Sequence, residues 1–304
     1  LGPIREAGAA GAVFALDASP ANAAGQYAPF RPEPNRLPAL LVDRDVGDAL
    51  RVRAAGRPRV RLVLEADVFE EATTDSLVAI LPGVSEENII VNTHSDGQNA
   101  FEENGAAACI YLARHLAAIP REDRPRTFVF SLVTGHVGPD HLPETEGFIH
   151  DNPGLVANAA AALTIEHFGA IEWNDDAGGY HSTGGFELAA AFHSITPIAL
   201  VARESLIAAN LPRVVLLRPI VSFFFGVGAA LHNAGVPSIG YLAGPNYLVA
   251  IAENGHMDKF DAARMADEMA WIIDLVHRLE RTPKDFLRIG DTTILEALGL
   301  PEIG

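Results

Sequence analysis

The 304-residue chain contains a single cysteine, Cys109. That scarcity excludes an intrachain disulfide framework and any cysteine-based zinc site. Cys109 lies in the apolar run 106–116, a setting for a buried structural thiol rather than a nucleophile. No run of about 18 or more uninterrupted apolar residues occurs, so no membrane-spanning helix is expected. The first residues carry Arg5 and Glu6 and lack the apolar core of a signal peptide. The chain opens without Met, on what reads as the turn before a strand, so a further piece is expected upstream and the compartment stays open. Positive charge is also short. Against 39 Asp and Glu stand 22 Lys and Arg, a net charge of −17. Nucleic acid and anionic membrane are disfavoured as partners, because both would be repelled. A peptide or small amide substrate is not disfavoured, and nothing indicates an oligomeric state.

What is present is ordinary globular material, 49% hydrophobic and 20% charged, ample for a sizeable core. The length suggests one main domain with a smaller one. Residues 1–65 read as the small β-rich unit. Strands are expected at 12–16 and 39–42, a helix over 44–55, and a third strand where Val60, Leu62 and Leu64 alternate. A connector rich in proline (Pro29, Pro32, Pro34 and Pro38) lies between the first two strands. From residue 75 to 282 buried strands alternate with amphipathic helices, and 283–304 form a tail. Strands are expected at 76–80, 89–93, 127–133, 161–167, 214–217 and 238–242. Helices are expected at 104–118, 153–159, 197–209, 228–234 and 261–280. This alternation predicts an α/β fold with a mostly parallel sheet flanked by helices.

In such sheets ligands bind beyond the carboxyl ends of the strands, and four strand ends here carry polar side chains. His94 and Asp96 follow one strand, where a carboxylate can orient the imidazole of a metal ligand. Glu102 and Glu103 open the next helix, where carboxylates are also favoured by the helix N-terminus alone. His136 follows Gly135 after another strand, and Glu166 with His167 ends a fourth. Taken singly, His136 also reads as a loop histidine and His167 as a hydrogen-bonded core residue. Four successive strand ends placing His or Glu at one edge point instead to zinc, which accepts imidazole nitrogen and carboxylate oxygen together.

At these residues the sequence resembles the M28 family of zinc aminopeptidases, with their inserted protease-associated domain. Residues 1–65 look like the later part of that inserted domain, and 75–282 like the catalytic α/β domain. His94-Ser95-Asp96 is similar to the family's His-x-Asp, which implies His94 as a metal ligand and Asp96 as its partner. Glu103-Asn104 resembles the Asp-Asn pair whose acid bridges two zinc ions, and Glu166 falls at a further acidic ligand. The segment Gly235 to Ile239 resembles the Gly-Ile-Pro stretch that leads to the last ligand. The chain departs from the family at two places. The Glu-Glu pair that supplies a general base and a ligand is Gly135-His136 here, and the Tyr-His pair carrying the final ligand is Tyr247-Leu248. His256, downstream, reads as a loop-surface residue.

The resemblance implies a metal-dependent hydrolase of an amide or peptide bond holding one zinc rather than two. Its implied metal ligands are His94, Glu103, His136 and Glu166, with Asp96, Glu102 and His167 in catalytic roles. Glu102 and then His167 are the candidates for the missing base. The missing base equally suits a degenerate, non-hydrolytic ligand-binding or interaction protein, and the related glutaminyl cyclases suggest a transferase. Tyr180 is expected in a flexible loop, Trp173 at the sheet edge, and the glycines of Phe223 to Gly228 where a backbone approaches a ligand.

Overall fold

A computed structural model describes residues 2–28, 37–65, 67, 69, 72–136, 144–218 and 224–290. Pro29, Pro32, Pro34, Phe223 and most of the tail lie outside these residues.

The N-terminal part begins with a short helix, α1 (Gly2–Glu6), and strand β1 (Ala12–Ala15). Helix α2 (Pro20–Ala23) follows, then β2 (Ala39–Val42) and α3 (Arg44–Ala54). β1 and β2 pair in parallel. Asp43 caps α3 by accepting from the Val46 N–H, which satisfies one of the four donors that a helix start leaves free. The strand expected around Val60 to Leu64 does not form. Alternation alone does not make a strand without a partner ladder, and Val60 stays 79% exposed.

The main unit runs β3 (Leu77–Leu81), β4 (Ser85–His94), α4 (Ala100–Ala117), β5 (Arg126–Val133), α5 (Thr145–Asp151) and α6 (Pro153–Asn158). It continues through β6 (Ala159–Ile165), β7 (Ile171–Asp176), β8 (Gly179–Phe186), β9 (Ala189–His193) and α7 (Thr196–Ala209). It ends with β10 (Val214–Leu217), α8 (Ala229–Asn233), β11 (Ser238–Ala243), α9 (Ala262–Arg281) and α10 (Lys284–Leu287).

Seven strands form one sheet in the order β10-β9-β11-β6-β4-β5-β3. All neighbours are parallel except β9 with β11 and β3 with β5. The mostly parallel sheet is therefore as expected. β4 shows why both faces must be covered. Ile89 and Val91 point into a core that contains Phe101 and Leu112 of α4, Ile198 of α7 and Trp271 and Leu275 of α9. Ile90, between them, points into a second core with Phe148 of α5 and Leu231 of α8. Alternate residues of a strand face opposite ways, so an unbroken apolar run needs helices on both sides. β6 lies near the sheet's centre and is buried along its whole length.

Three differences from the sequence reading bear on the site. α4 starts at Ala100 rather than Asn104, because Asn99 caps it. β6 stops at Ile165, so Glu166 and His167 lie in the loop beyond the strand. Residues 171–186 form an antiparallel hairpin, β7-β8, outside the main sheet, with Tyr180 in a strand rather than a flexible loop and Trp173 in β7, packed against the main core.

Candidate metal centre

β4 delivers His94 at its last residue, fully buried. Its Nδ1 lies 2.8 Å from the Asp96 carbonyl oxygen. A carbonyl can only accept, so Nδ1 carries the proton and Nε2 presents a lone pair. The Asp96 carboxylate is farther away, 3.7 Å from Nδ1, and its Oδ2 accepts the Gly135 N–H at 2.9 Å. Asp96 thus orients His94 chiefly through its backbone, while its side chain ties the loop after β5 to the loop after β4.

α4 supplies the carboxylate. The Asn99 side-chain oxygen accepts from the N–H groups of Phe101 and Glu102. Its amide donates to the carbonyls of Leu248 and Ala250 at 2.6 and 3.0 Å. One residue therefore caps the helix and pins it to the segment after β11. With the helix starting there, Glu102 turns inward, 1% exposed, while Glu103 faces solvent. Glu102, not Glu103, is the acid brought to His94, because neighbours on a helix point about 100° apart. Gly97 leaves room for it: a Cβ there would meet the Glu102 Cβ at 2.3 Å.

His167 follows β6 with a positive φ of 59°, a strained conformation for a non-glycine residue. That turn aims the ring back over the strand end. Its Nδ1 lies 2.8 Å from the Ala243 carbonyl at the end of β11, so its Nε2 also presents a lone pair. Glu166, 1% exposed, has Oε1 bonded to the Val227 N–H at 3.0 Å and Oε2 3.9 Å from His167 Nε2. Gly226 permits that approach: its φ is +75°, and a Cβ would fall 2.5 Å from the Glu166 carboxylate. The glycine expected to let backbone reach a ligand instead lets it reach Glu166.

Glu102 Oε2 lies 3.5 Å from His94 Nε2 and 3.7 Å from His167 Nε2. Both gaps are too long for hydrogen bonds. Both Nε2 atoms and both Glu102 oxygens are buried without a hydrogen-bond partner, although such groups are nearly always satisfied. The three donor atoms lie within 4.8 Å of one another, the one such grouping of three among the described residues. Two ligands of a tetrahedral zinc sit about 3.3 Å apart when each bond is about 2.05 Å. Two imidazoles and a carboxylate also form a donor set seen at catalytic zinc sites, with a fourth position open. The residues present therefore fit a zinc ion.

The electrostatics agree. Burial opposes ionisation of Glu102, yet His167, His94 and His136 together hold its carboxyl below the usual range. Burial favours a neutral His167, but the carboxylates of Glu102 and Glu166 raise its pKa on balance. The pocket thus favours positive charge among its lone pairs, as a proton or as a cation.

His136 lies beside this trio, its ring centroid 4.4 Å from that of His94 and its Nδ1 3.4 Å from Glu144 Oε2. Burial lowers its pKa, but Glu144, Glu166 and Glu102 raise it overall. Neither His136 nor Glu166 belongs to the grouping of three. His256 is buried rather than a surface residue, its ring 5.5 Å from that of Tyr247. Leu248 serves through its carbonyl, which accepts from Gln98 as well as Asn99. The sequence reading missed Asn99, although Asn three residues ahead of Glu102 is a recognisable helix-start signal. It also missed Ala243 and Val227, whose backbone groups leave no mark in the sequence.

No family model matches the sequence, and no curated protein matches it. Among solved structures, a peptidase M28 precursor from Shewanella amazonensis aligns over 81% of this chain and 54% of its own, with a TM-score of 0.60 and 16% identity. The fold is that of the M28 peptidases. The zinc aminopeptidase of Bacillus subtilis aligns over 92% of this chain and 67% of its own, TM-score 0.54, identity 10%. A glutaminyl cyclase from Fimbriiglobus ruber aligns over 67% of this chain and 74% of its own, TM-score 0.51, identity 15%. The chain spans about half the length of the Shewanella peptidase and of the LapA aminopeptidase of Legionella pneumophila, at 54% and 55%.

Proposed function

We propose that the protein is a one-zinc hydrolase of an amide or peptide bond, aminopeptidase-like in its substrate. The observation that carries this reading is the convergence of two buried, unpartnered imidazole nitrogens on the equally unpartnered Glu102 carboxylate, beyond the carboxyl ends of β4 and β6. His94, Glu102 and His167 would hold the ion. When bound there, zinc polarises a carbonyl and acidifies a water.

The chain's own residues do the rest. The carbonyls of Asp96 and Ala243 keep the protons of His94 and His167 on Nδ1. Glu166 is the base in this reading. The Val227 N–H holds its Oε1 in place, which leaves Oε2 to take a proton from the attacking water. His136, whose pKa Glu144, Glu166 and Glu102 raise against the effect of its burial, would lend positive charge to the substrate's carbonyl. Asp96 positions both His94 and the Gly135 loop. Residues 1–65 are read as part of a protease-associated-type unit, and 75–282 as the catalytic domain.

Metal content measured by mass spectrometry tests the centre. About one tightly held zinc per chain is expected, lost in His94→Ala; no zinc after supply at neutral pH would overturn the reading. The Fimbriiglobus neighbour supports a second reading, cyclisation on the same scaffold, and analysis of products from peptides with an N-terminal glutamine separates the two. A zinc-loaded protein that converts neither kind of substrate would point to a ligand-binding relative instead.

A further inference from the structure

α4 and α9 pack side by side, and near the C-terminal end of each stands a histidine that the proposed reaction does not use. His115 Nε2 and His277 Nε2 lie 3.2 Å apart, with ring centroids at 5.4 Å and planes tilted by 64°. His277 Nδ1 is 2.8 Å from Glu280 Oε1, and that carboxylate is 2% exposed. An ionised carboxylate only accepts, so it holds the His277 proton on Nδ1 and turns the Nε2 lone pair towards His115. A carboxylate behind an imidazole is the usual arrangement at a metal-bound histidine. The other Glu280 oxygen is buried without a hydrogen-bond partner.

The geometry points to a second cation site: a two-histidine site that bridges α4 and α9 and takes zinc, nickel or copper(II). Imidazole nitrogen suits these ions, and the 3.2 Å spacing matches the roughly 3.3 Å between two nitrogens on one tetrahedral zinc. Exposed His115 leaves the remaining positions to water. The site is separate from the His94 centre, since Glu102 and His115 are 13 residues apart on α4, about 20 Å along its axis. A cation here links the far end of the Glu102 helix to α9. With only two protein ligands it binds more weakly than the buried trio.

Equilibrium dialysis against zinc near neutral pH tests this. The whole chain is expected to show a weaker class of one zinc per chain. It vanishes in His115→Ala and His277→Gln and persists in His94→Ala. Because the comparison is between variants, it decides the matter even if the buried trio binds nothing. Glu280→Gln is expected to weaken the site about 10- to 100-fold. Copper(II) bound to the His94→Ala protein should give an electron paramagnetic resonance spectrum with two imidazole nitrogens, falling to one in the His94→Ala, His115→Ala double variant. Equal zinc uptake by His115→Ala and the unaltered chain would overturn the proposal and leave the pair as an N–H···N hydrogen bond.

Discussion

Glu102 and Glu103 are chemically identical neighbours, and their difference is purely one of direction. Glu102 is buried against two imidazoles and Glu103 faces solvent. Glu102→Gln is therefore expected to lower zinc affinity by at least 100-fold in a competition titration with a chromogenic chelator. Glu103→Gln should leave it within about twofold, since a surface carboxylate contributes little. Equal losses would mean that both acids reach the metal. Cys109 makes the opposite case, a reactive group made inert. Burial pushes its thiol up to about 12, so almost no thiolate exists at neutral pH. Iodoacetamide should label it only after denaturation, and fast labelling of the folded chain would contradict its burial. The reading of Cys109 needed only its apolar neighbours. The choice between Glu102 and Glu103 needed the start of the helix to within one residue, and helix boundaries are the least legible feature of a sequence.

At the scale of elements, Asn99 decides where α4 begins and what it touches. Its side chain serves two helix N–H groups and two carbonyls of the segment after β11. Asn99→Ala removes the cap and leaves buried backbone groups unpaired, which should cost roughly 2 kcal/mol in urea unfolding. Zinc affinity should fall with it, because Glu102 sits three residues into the loosened turn. Asn99→Asp keeps the acceptor and should restore about half the stability. An Ala variant as stable as the parent would show that the helix is held elsewhere. The strands β4, β5 and β6 were legible because unbroken apolar runs bounded by polar residues have few other uses. The β7-β8 hairpin was not, since Trp173 and Tyr180 lie among Gly, Asp and Asn, and their order comes from contacts such as Tyr180 with Asn246 and Asp175 with Ser19.

For the molecule as a whole, a bound cation should link the two ends of its stability. Zinc at about 100 times its dissociation constant stabilises the folded state by roughly 2.7 kcal/mol, provided the unfolded chain does not bind it. A chelator should therefore lower the thermal midpoint by several degrees in the unaltered protein and by much less in His94→Ala. The same drop in both would assign the effect to another site. The sequence by itself determined the α/β class, the mostly parallel sheet and the strand ends that carry His94, Glu166 and His167, because hydrophobic period and strand ends are local properties of the chain. Which acid faces His94, how His167 turns back over its strand, and which carbonyls set both tautomers were decided only by tertiary structure. Each depends on residues distant in the chain: Ala243 lies 76 positions from His167, and Leu248 lies 149 from Asn99. Contacts of that separation form only when the sheet and helices close on one another, and no local pattern encodes them.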